Sequence, residues 1–255
     1  LESIKLYNLG VKTNFMKDKE IILEVKNLSV VLDRKTILSN ISFVVRQGEI
    51  LAVIGPNGAG KTILFRALLG LLPSAGAIKW KQGIKIGYAP QRFAVEKHFP
   101  LSVKEFFLLK AENFWLPRQK ILAQIAHKLK LVKLPDRILS ERLGELSGGE
   151  LQRILIAWAM IDYPDVLLLD EPAAGIDIGF EETIYTLIHQ IQDELGVTIL
   201  LISHDLNVVY RYAQQVICIN QKMICNGLPR QVLNPDELAK LYGEGAFYLH
   251  EKAVH

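Results

Sequence analysis

The chain has 255 residues, of which 50% are hydrophobic, so it is long enough for one large domain or two small ones with a sizeable buried core. Its 30 basic and 27 acidic residues give a net charge of +3, too small an excess to indicate a nucleic-acid partner. No apolar run approaches the roughly 18 residues of a membrane-spanning helix, and no signal-peptide pattern opens the sequence, so we expect a soluble chain.

The first 20 residues form an N-terminal arm to which we assign no function. Met16 is the first methionine, and KDKEIILEV follows it directly. Met16 is therefore a candidate for the natural start of the protein, with residues 1–15 as an upstream extension.

The next segments alternate between strand patterns and one helix pattern, up to Gln91. The apolar strand GEILAVIG runs into a glycine-rich loop, and KTILFRALLGLL is the predicted helix, which we expect Pro73 to end. The predicted strands are IILEVKNLSVVL, TILSNISFVV, GEILAVIG, AGAIKW and KIGYAP, the first two forming a hairpin around DRK.

The second half begins with helical patterns over about residues 95–160 and then alternates strands and helices. DVLLLD and VTILLIS are predicted strands, and FEETIYTLIHQIQDEL is a predicted helix that ends at Gly196. The continuous apolar runs LAVI, VLLL and TILLI favour parallel strands covered on both faces. The pattern predicts one α/β domain with a helical insertion and without internal repeats.

The glycine-rich loop GPNGAGKT matches the phosphate-loop pattern G-x-x-x-x-G-K-[ST] between a strand and a helix. Backbone N–H groups of residues 57–62 are expected to surround phosphates at the start of the helix. Lys61 would reach the β- and γ-phosphates, and the Thr62 hydroxyl would bind Mg²⁺. The predicted nucleotide-binding residues are Gly55, Pro56, Asn57, Gly58, Ala59, Gly60, Lys61 and Thr62.

Three further strand ends carry candidate catalytic residues. Asp170 ends the strand VLLLD, where a carboxylate can hold the Mg²⁺ shell, and Glu171 follows as a candidate general base. His204 ends another apolar strand and is a candidate γ-phosphate sensor, although a histidine at a strand end is more often structural. Gln91 could contact Mg²⁺ and the attacking water, or be an ordinary surface amide.

The order GPNGAGKT, YAPQ, LSGGE, VLLLDE, ISHD resembles the nucleotide-binding subunit of an ATP-binding-cassette (ABC) transporter over about residues 21–230. The resemblance implies ATP hydrolysis with ATP and Mg²⁺ as cofactors. It also implies a P-loop NTPase cassette with a RecA-like core, an antiparallel β subdomain and a helical subdomain at about residues 95–160. Residues 231–255 would form a C-terminal helix and tail.

The same resemblance implies that the LSGGE stretch acts on ATP bound to a second chain and not on ATP bound to its own chain. In the family this signature caps the γ-phosphate of ATP held by a second cassette in a head-to-tail dimer. The Ser147 hydroxyl and the amides beside Gly148 and Gly149 suit an anion at a helix start. Glu150 completes the signature, and Asp177 would belong to the loop that crosses between the two cassettes.

Four positions depart from the family pattern. Leu32 stands where the family stacks adenine on an aromatic ring, which puts the tightness of ATP binding in question. Glu150 replaces the commoner Gln, Trp158 replaces Arg in the following helix, and Ala174 replaces a serine. None of the four removes a catalytic group.

Three stretches look like the branch that serves bacterial zinc and manganese uptake: YAPQRFAVEKHFPLSVKEFF, LSGGELQRILIA, and the segment from SHDLNVVYRYAQQVICIN to LYGEGAFYLH. The implied partners are a second copy of the chain, a polytopic membrane permease and, indirectly, an external substrate-binding protein. The implied location is peripheral, on the cytoplasmic face of the cell membrane. The alternatives are a soluble ABC ATPase not coupled to transport and an importer cassette for another substrate, such as iron chelates.

Two small sets of residues suggest no chemistry of their own. Cys218 and Cys225 are too few for a disulfide framework, and we expect them to be reduced thiols on strands. His250 and His255 lie on the C-terminal tail, and we do not expect them to bind metal.

Overall fold

The computed structural model describes residues 19–91, 93, 96, 98–110, 118–176 and 181–243. Within these ranges the strands form one three-stranded and one six-stranded sheet. The strands are β1 Ile21–Leu32, β2 Lys35–Arg46, β3 Ile50–Ile54, β4 Ala75–Trp80, β5 Ile86–Ala89, β6 Val166–Asp170, β7 Thr198–Ile202, β8 Gln215–Asn220 and β9 Lys222–Gly227. The helices are α1 Lys61–Leu68, α2 Val103–Lys110, α3 Arg118–Leu131, α4 Gly148–Ala159, α5 Glu181–Leu195, α6 Leu206–Tyr212, α7 Pro229–Val232 and α8 Pro235–Tyr242.

The six-stranded sheet has the order β5-β6-β7-β3-β8-β9. All its pairs are parallel except β8 with β9, which is antiparallel. Every residue of β3, β6 and β7 is buried, which confirms the parallel strands expected from the apolar runs. Since the strands run the same way, the residues that follow β3, β5, β6 and β7 all emerge at one edge of the sheet.

The three-stranded sheet is antiparallel, in the order β2-β1-β4, and contains the hairpin expected from the sequence. Its turn is at Asp33 and Arg34, both with positive φ, which is the backbone of a tight hairpin turn. The buried residues of β1 and β2 share one core with α1 and with one face of the larger sheet. The small sheet therefore packs beside the helix that follows the glycine-rich loop.

Helices α2, α3 and α4 lie between β5 and β6 in sequence, as the predicted helical insertion requires. Their buried side chains, among them Phe107, Leu129 and Ile154, join the core on the other face of the large sheet. None of the helices described has both the length and the hydropathy needed to cross a bilayer.

Helix α1 ends earlier than the sequence analysis expected. It stops at Leu68, and Gly70 adopts a left-handed backbone with φ 71°. The Gly70 and Leu71 amides donate to the Ala67 and Arg66 carbonyls, which satisfies carbonyls at the helix end. Gly70, rather than Pro73, is therefore the stop signal.

The two cysteines also differ from the expectation of reduced thiols. Cys218 on β8 lies directly opposite Cys225 on β9, with 4.8 Å between their Cα atoms, and the two form a disulfide. Two cysteines seven residues apart meet in this way because β8 and β9 form a tight hairpin. The sequence did not predict the register in which these two strands pair.

Candidate functional site

The predicted site residues follow the carboxyl ends of adjacent strands, where open parallel sheets bind their ligands. Gly55 follows β3, Asp170 ends β6, Gln91 lies two residues after β5 and His204 lies two residues after β7. Only β7 separates β3 from β6 in the sheet, so the phosphate loop lies near Asp170 and Glu171 at the end of β6.

The phosphate loop runs from Gly55 into α1 and depends on glycine at two packed positions. A Cβ at Gly55 would collide with the carbonyl oxygen of Ile219, and one at Gly60 would lie 2.6 Å from the Leu38 side chain. Gly60 also caps α1 with φ 98°, a conformation that L side chains rarely adopt. The first amides of α1 consequently open toward the site without an intervening side-chain cap.

Lys61 is the first residue of α1 and is only 6% exposed. Its Nζ donates hydrogen bonds to the Gly55 and Pro56 carbonyl oxygens, at 2.8 and 3.1 Å, and lies 3.8 Å from Glu171 Oε1. Burial lowers the pKa of the Lys61 ammonium, an effect that the nearby Glu171 and Asp170 charges oppose. The loop therefore holds a largely desolvated cation that an anionic ligand would stabilise.

Asp170 is 1% exposed and accepts a hydrogen bond from the Thr62 hydroxyl at 3.2 Å. Burial raises the pKa of the Asp170 carboxyl, and the bond from Thr62 opposes that rise. Thr62 and Asp170 are 108 residues apart in sequence, so this contact brings the two predicted Mg²⁺ ligands together.

These oxygen donors fit a magnesium ion. Mg²⁺ in phosphate-binding sites takes one or two carboxylates, water and substrate phosphates rather than a cage of protein ligands. A buried carboxylate beside a hydroxyl matches that need. In the ranges that the structure describes, no group of three or more His, Cys, Asp and Glu side chains could hold a metal.

Tyr88 belongs to this cluster, although the sequence analysis did not select it. Its hydroxyl donates to Asp170 Oδ2 at 3.5 Å, and burial, together with the Asp170 charge, raises the pKa of Tyr88 to about 12. The sequence feature that could have identified Tyr88 is its position near the end of a predicted strand, three residues before Gln91.

Glu171 lies just beyond β6 with φ 46°, a left-handed backbone that is uncommon for a residue other than glycine. Its amide donates to the Ile202 carbonyl at 3.1 Å, which ties this backbone to β7. Gln91 Nε2 donates to Glu171 Oε2 at 2.6 Å. The hydrogen bond from Gln91 thus orients the carboxylate of Glu171, the candidate base. The left-handed backbone of Glu171 is a strained conformation of the type that clusters at functional sites.

His204 has fewer contacts with the rest of the site than Asp170, Glu171 and Gln91 have. It is exposed beyond β7, and its imidazole makes none of the hydrogen bonds seen among the described residues. The structure places His204 at the correct sheet edge without joining it to Glu171.

The LSGGE signature forms the start of α4. Ser147 is the N-cap and makes a capping box with Glu150: the Ser147 amide and hydroxyl donate to Glu150 Oε2 at 3.0 and 2.6 Å, and the Glu150 amide donates to Ser147 Oγ. These hydrogen bonds from Ser147 lower the pKa of the Glu150 carboxyl. A Cβ on Gly148 would lie 3.2 Å from the Gly175 carbonyl oxygen, so a glycine there lets the two loops approach closely.

The other predicted positions have mixed outcomes. Leu32 is half-buried at the end of β1 and packs against the core that contains α1. Trp158 stacks on Phe106, which also contacts Phe93, both at 5.2 Å between ring centroids. Asp177, together with residues 1–18 and 244–255, lies outside the described residues.

Comparison with protein families matches residues 38–174 to the ABC transporter family. The chain is 40% identical over 235 residues to the zinc import ATP-binding protein ZnuC of Cereibacter sphaeroides, covering 90% of this chain and 93% of that protein. It is 37% identical over 238 residues to ZnuC of Hydrogenovibrio crunogenus, covering 90% and 92% of the two chains.

A solved structure with the same fold is CbiO1 from Clostridium perfringens, part of the ABC transporter complex CbiONQ. It superposes with a TM-score of 0.73 at 26% identity, over 92% of this chain and 99% of that one. The predicted α/β cassette fold is therefore confirmed over almost the whole chain.

Proposed function

Since the chain belongs to the ABC transporter family and is an ATP-binding ATPase, we propose that it powers a zinc importer as the subunit that hydrolyses ATP. The observation that carries this proposal is the convergence of Lys61, Thr62, Asp170 and Glu171 at one sheet edge. The relatives named for zinc import favour zinc over manganese as the transported ion.

The phosphate loop binds the ATP phosphates through its backbone amides and Lys61. In the ligand-free loop the Lys61 ammonium bonds the Gly55 and Pro56 carbonyls, and two phosphate groups would give it stronger, charge-assisted partners. Burial lowers the pKa of the Lys61 ammonium and so disfavours its charged form, whereas the negative phosphates would favour that form. ATP binding and Lys61 protonation therefore support each other.

Thr62 and Asp170 would hold Mg²⁺, with Gln91 close by. The ion would neutralise phosphate charge as the terminal phosphoryl group is transferred. Its arrival would also favour ionised Asp170, whose carboxylate is otherwise disfavoured by burial. The Tyr88 hydroxyl, whose pKa is raised to about 12, donates a hydrogen bond to the second oxygen of Asp170.

Glu171 is proposed as the general base that takes a proton from the attacking water. It follows the metal-binding carboxylate directly, and its side chain is 13% exposed, so water can reach it. The bond from Gln91 fixes the direction of the Glu171 carboxylate. His204 would donate to the γ-phosphate from the end of β7.

The signature acts on ATP held by a second copy of the chain. Ser147, Gly148 and Gly149 begin α4 at the protein surface, and the helix start is suited to an anion. The Ser147 hydroxyl, now donated to Glu150, would turn to the partner's γ-phosphate when two copies close head to tail. Asp177 would contribute at the same interface.

A membrane permease would dock on the segment that follows Gln91. Phe99 is 50% exposed in this segment, and Phe93 of the same segment contacts Phe106, which stacks on Trp158. Since Gln91 bonds Glu171, a shift of this segment would move the proposed base. In this proposal the chain works at the cytoplasmic face of the membrane, where a permease contact would link transport to hydrolysis.

Zinc uptake in cells lacking the chain tests the proposal. We expect such cells to accumulate radioactive zinc slowly and to regain uptake with the wild-type chain, while Glu171→Gln at equal expression fails to restore it. Uptake that is normal without the chain, together with loss of another transported substrate, would overturn the zinc assignment and leave the ATPase assignment intact.

A further inference from the structure

The disulfide between Cys218 and Cys225 lies on the strand beside the phosphate-loop strand. β8 pairs with β3 on one side and with β9 on the other, and the pair Ile54–Cys218 places the cysteine level with the last residue before the loop. Cys218 is 1% exposed and Cys225 is 7% exposed. Nothing in the proposed hydrolysis mechanism uses either sulfur.

The tip of this hairpin supports the phosphate loop directly. The Gln221 amide donates to the Ala59 carbonyl at 3.1 Å, and the Ile219 carbonyl oxygen fills the space beside Gly55. The Gln221 carbonyl accepts from the Ser39 amide at 2.8 Å. Movement of the tip would therefore move the loop that receives the phosphates at two points, Gly55 and Ala59.

The strand pairing of this hairpin is one-sided and irregular. Among the described strands β9 pairs with β8 alone, and the register of the pairing shifts between Cys218 and Ile219. A register shift breaks the ladder locally, so the pairing specifies the alignment of β9 less strongly than a regular ladder would. The disulfide sits at the start of this irregularity, where a covalent link fixes the register.

We propose that Cys218 and Cys225 are a reversible redox-modification site, in which disulfide formation fixes the β8–β9 hairpin against the phosphate loop and tightens ATP binding. The oxidant is hydrogen peroxide, a small molecule, and it meets Cys225 first because this residue is more exposed than Cys218. The Cys225 thiolate attacks hydrogen peroxide to give a sulfenic acid and hydroxide, and the hydroxide takes up the proton that the Cys225 thiol had lost and becomes water. The Cys218 thiol then displaces a second water to form the disulfide. Two thiols are oxidised and one peroxide is reduced; a dithiol reductant reverses the change by thiol–disulfide exchange.

The test uses the full chain, prepared reduced with a dithiol and oxidised with hydrogen peroxide. Mass spectrometry with a thiol-alkylating reagent counts free thiols, and equilibrium titration measures MgATP affinity. We expect the oxidised chain to lose both thiols and to bind MgATP tighter by about fivefold, the lower end of typical coupling between two sites. Amide hydrogen exchange at Ala59 and Gln221 should slow in the same sample.

Cys225→Ser is the matched control, since it keeps the side-chain size and cannot form the disulfide. It should bind MgATP like the reduced wild type and should not tighten with peroxide; Cys218→Ala serves the same purpose if Cys225→Ser folds poorly. Thiols that stay free in the folded chain under peroxide would overturn the proposal. The proposal would also be overturned if the oxidised wild-type chain formed the disulfide completely but matched the reduced wild type in MgATP affinity and in hydrogen exchange. This comparison needs no variant.

Discussion

Replacing Glu171 by glutamine separates the proposed base from the binding site around it. Glutamine keeps the backbone position with φ 46°, and its carbonyl oxygen can accept the bond that Gln91 now donates at 2.6 Å. The change removes the weak ion pair with Lys61, whose atoms lie 3.8 Å apart, so ATP affinity should stay within about threefold. Loss of a positioned base should slow hydrolysis by roughly 10²–10⁴, which corresponds to about 2.7–5.4 kcal/mol of barrier.

Phosphate release and equilibrium nucleotide binding, measured on the same preparation, give the two quantities. Glu182→Gln is the matched control, because it makes the same change at an exposed carboxylate paired with Arg211 and should leave both quantities unaltered. A Glu171→Gln protein that turns over within about threefold of wild type would refute Glu171 as the base.

Two further substitutions test parts of the nucleotide site, and one exchange measurement tests the docking surface. Leu32→Tyr should tighten ATP several-fold, since a stacked ring contributes about 1–3 kcal/mol, and unchanged or weaker binding in a titration would move the adenine contact elsewhere. Asp170→Asn should raise the melting temperature of the nucleotide-free chain by about 2–4 °C per kcal/mol gained and abolish the Mg²⁺ dependence of ATP binding. Burial raises the pKa of Asp170, so ionised Asp170 destabilises the folded state at neutral pH. Calorimetry should therefore show that the stability gained by Asp170→Asn shrinks as pH falls and wild-type Asp170 becomes protonated. A variant that melts below wild type at neutral pH would contradict this. Finally, hydrogen exchange around Phe99 should slow when a permease binds; unchanged exchange there would place docking on another surface.

The strand-end residues could be predicted because motif and element coincide. GPNGAGKT lies between a buried strand and a helix, and VLLLDE ends a second buried strand, so local pattern and parallel topology put Thr62 and Asp170 at one edge. The capping box was also readable in principle, since Ser147 and Glu150 have the Ser-x-x-Glu spacing. It went unnoticed because the motif suggested a ligand for Ser147 outside its own chain.

The remaining features depend on contacts that no local sequence pattern specifies. Tyr88 meets Asp170 across 82 residues, and no local pattern sets that distance. The Cys218–Cys225 disulfide follows from the exact alignment of an irregular antiparallel pair, which periodicity cannot supply. The roles of His204 and of the signature depend on bound ATP and a second copy of the chain, so they stay predictions.

The most direct test of the shared site mixes two inactive variants. Lys61→Ala removes the phosphate loop's cation, and Ser147→Arg places a large side chain where the partner's γ-phosphate should approach. In a head-to-tail mixed dimer, the intact loop of the Ser147→Arg chain faces the intact signature of the Lys61→Ala chain. A chain carrying both changes, mixed with wild type, leaves no complete site and is the control.

Sedimentation with and without MgATP gives the answer. The mixture of the two single variants should regain ATP-dependent association, whereas each variant alone should show none. The control mixture should show only the association that its wild-type chains give among themselves. If the signature serves its own chain, neither variant can supply what the other lacks, and the mixture will associate no more than its separate components.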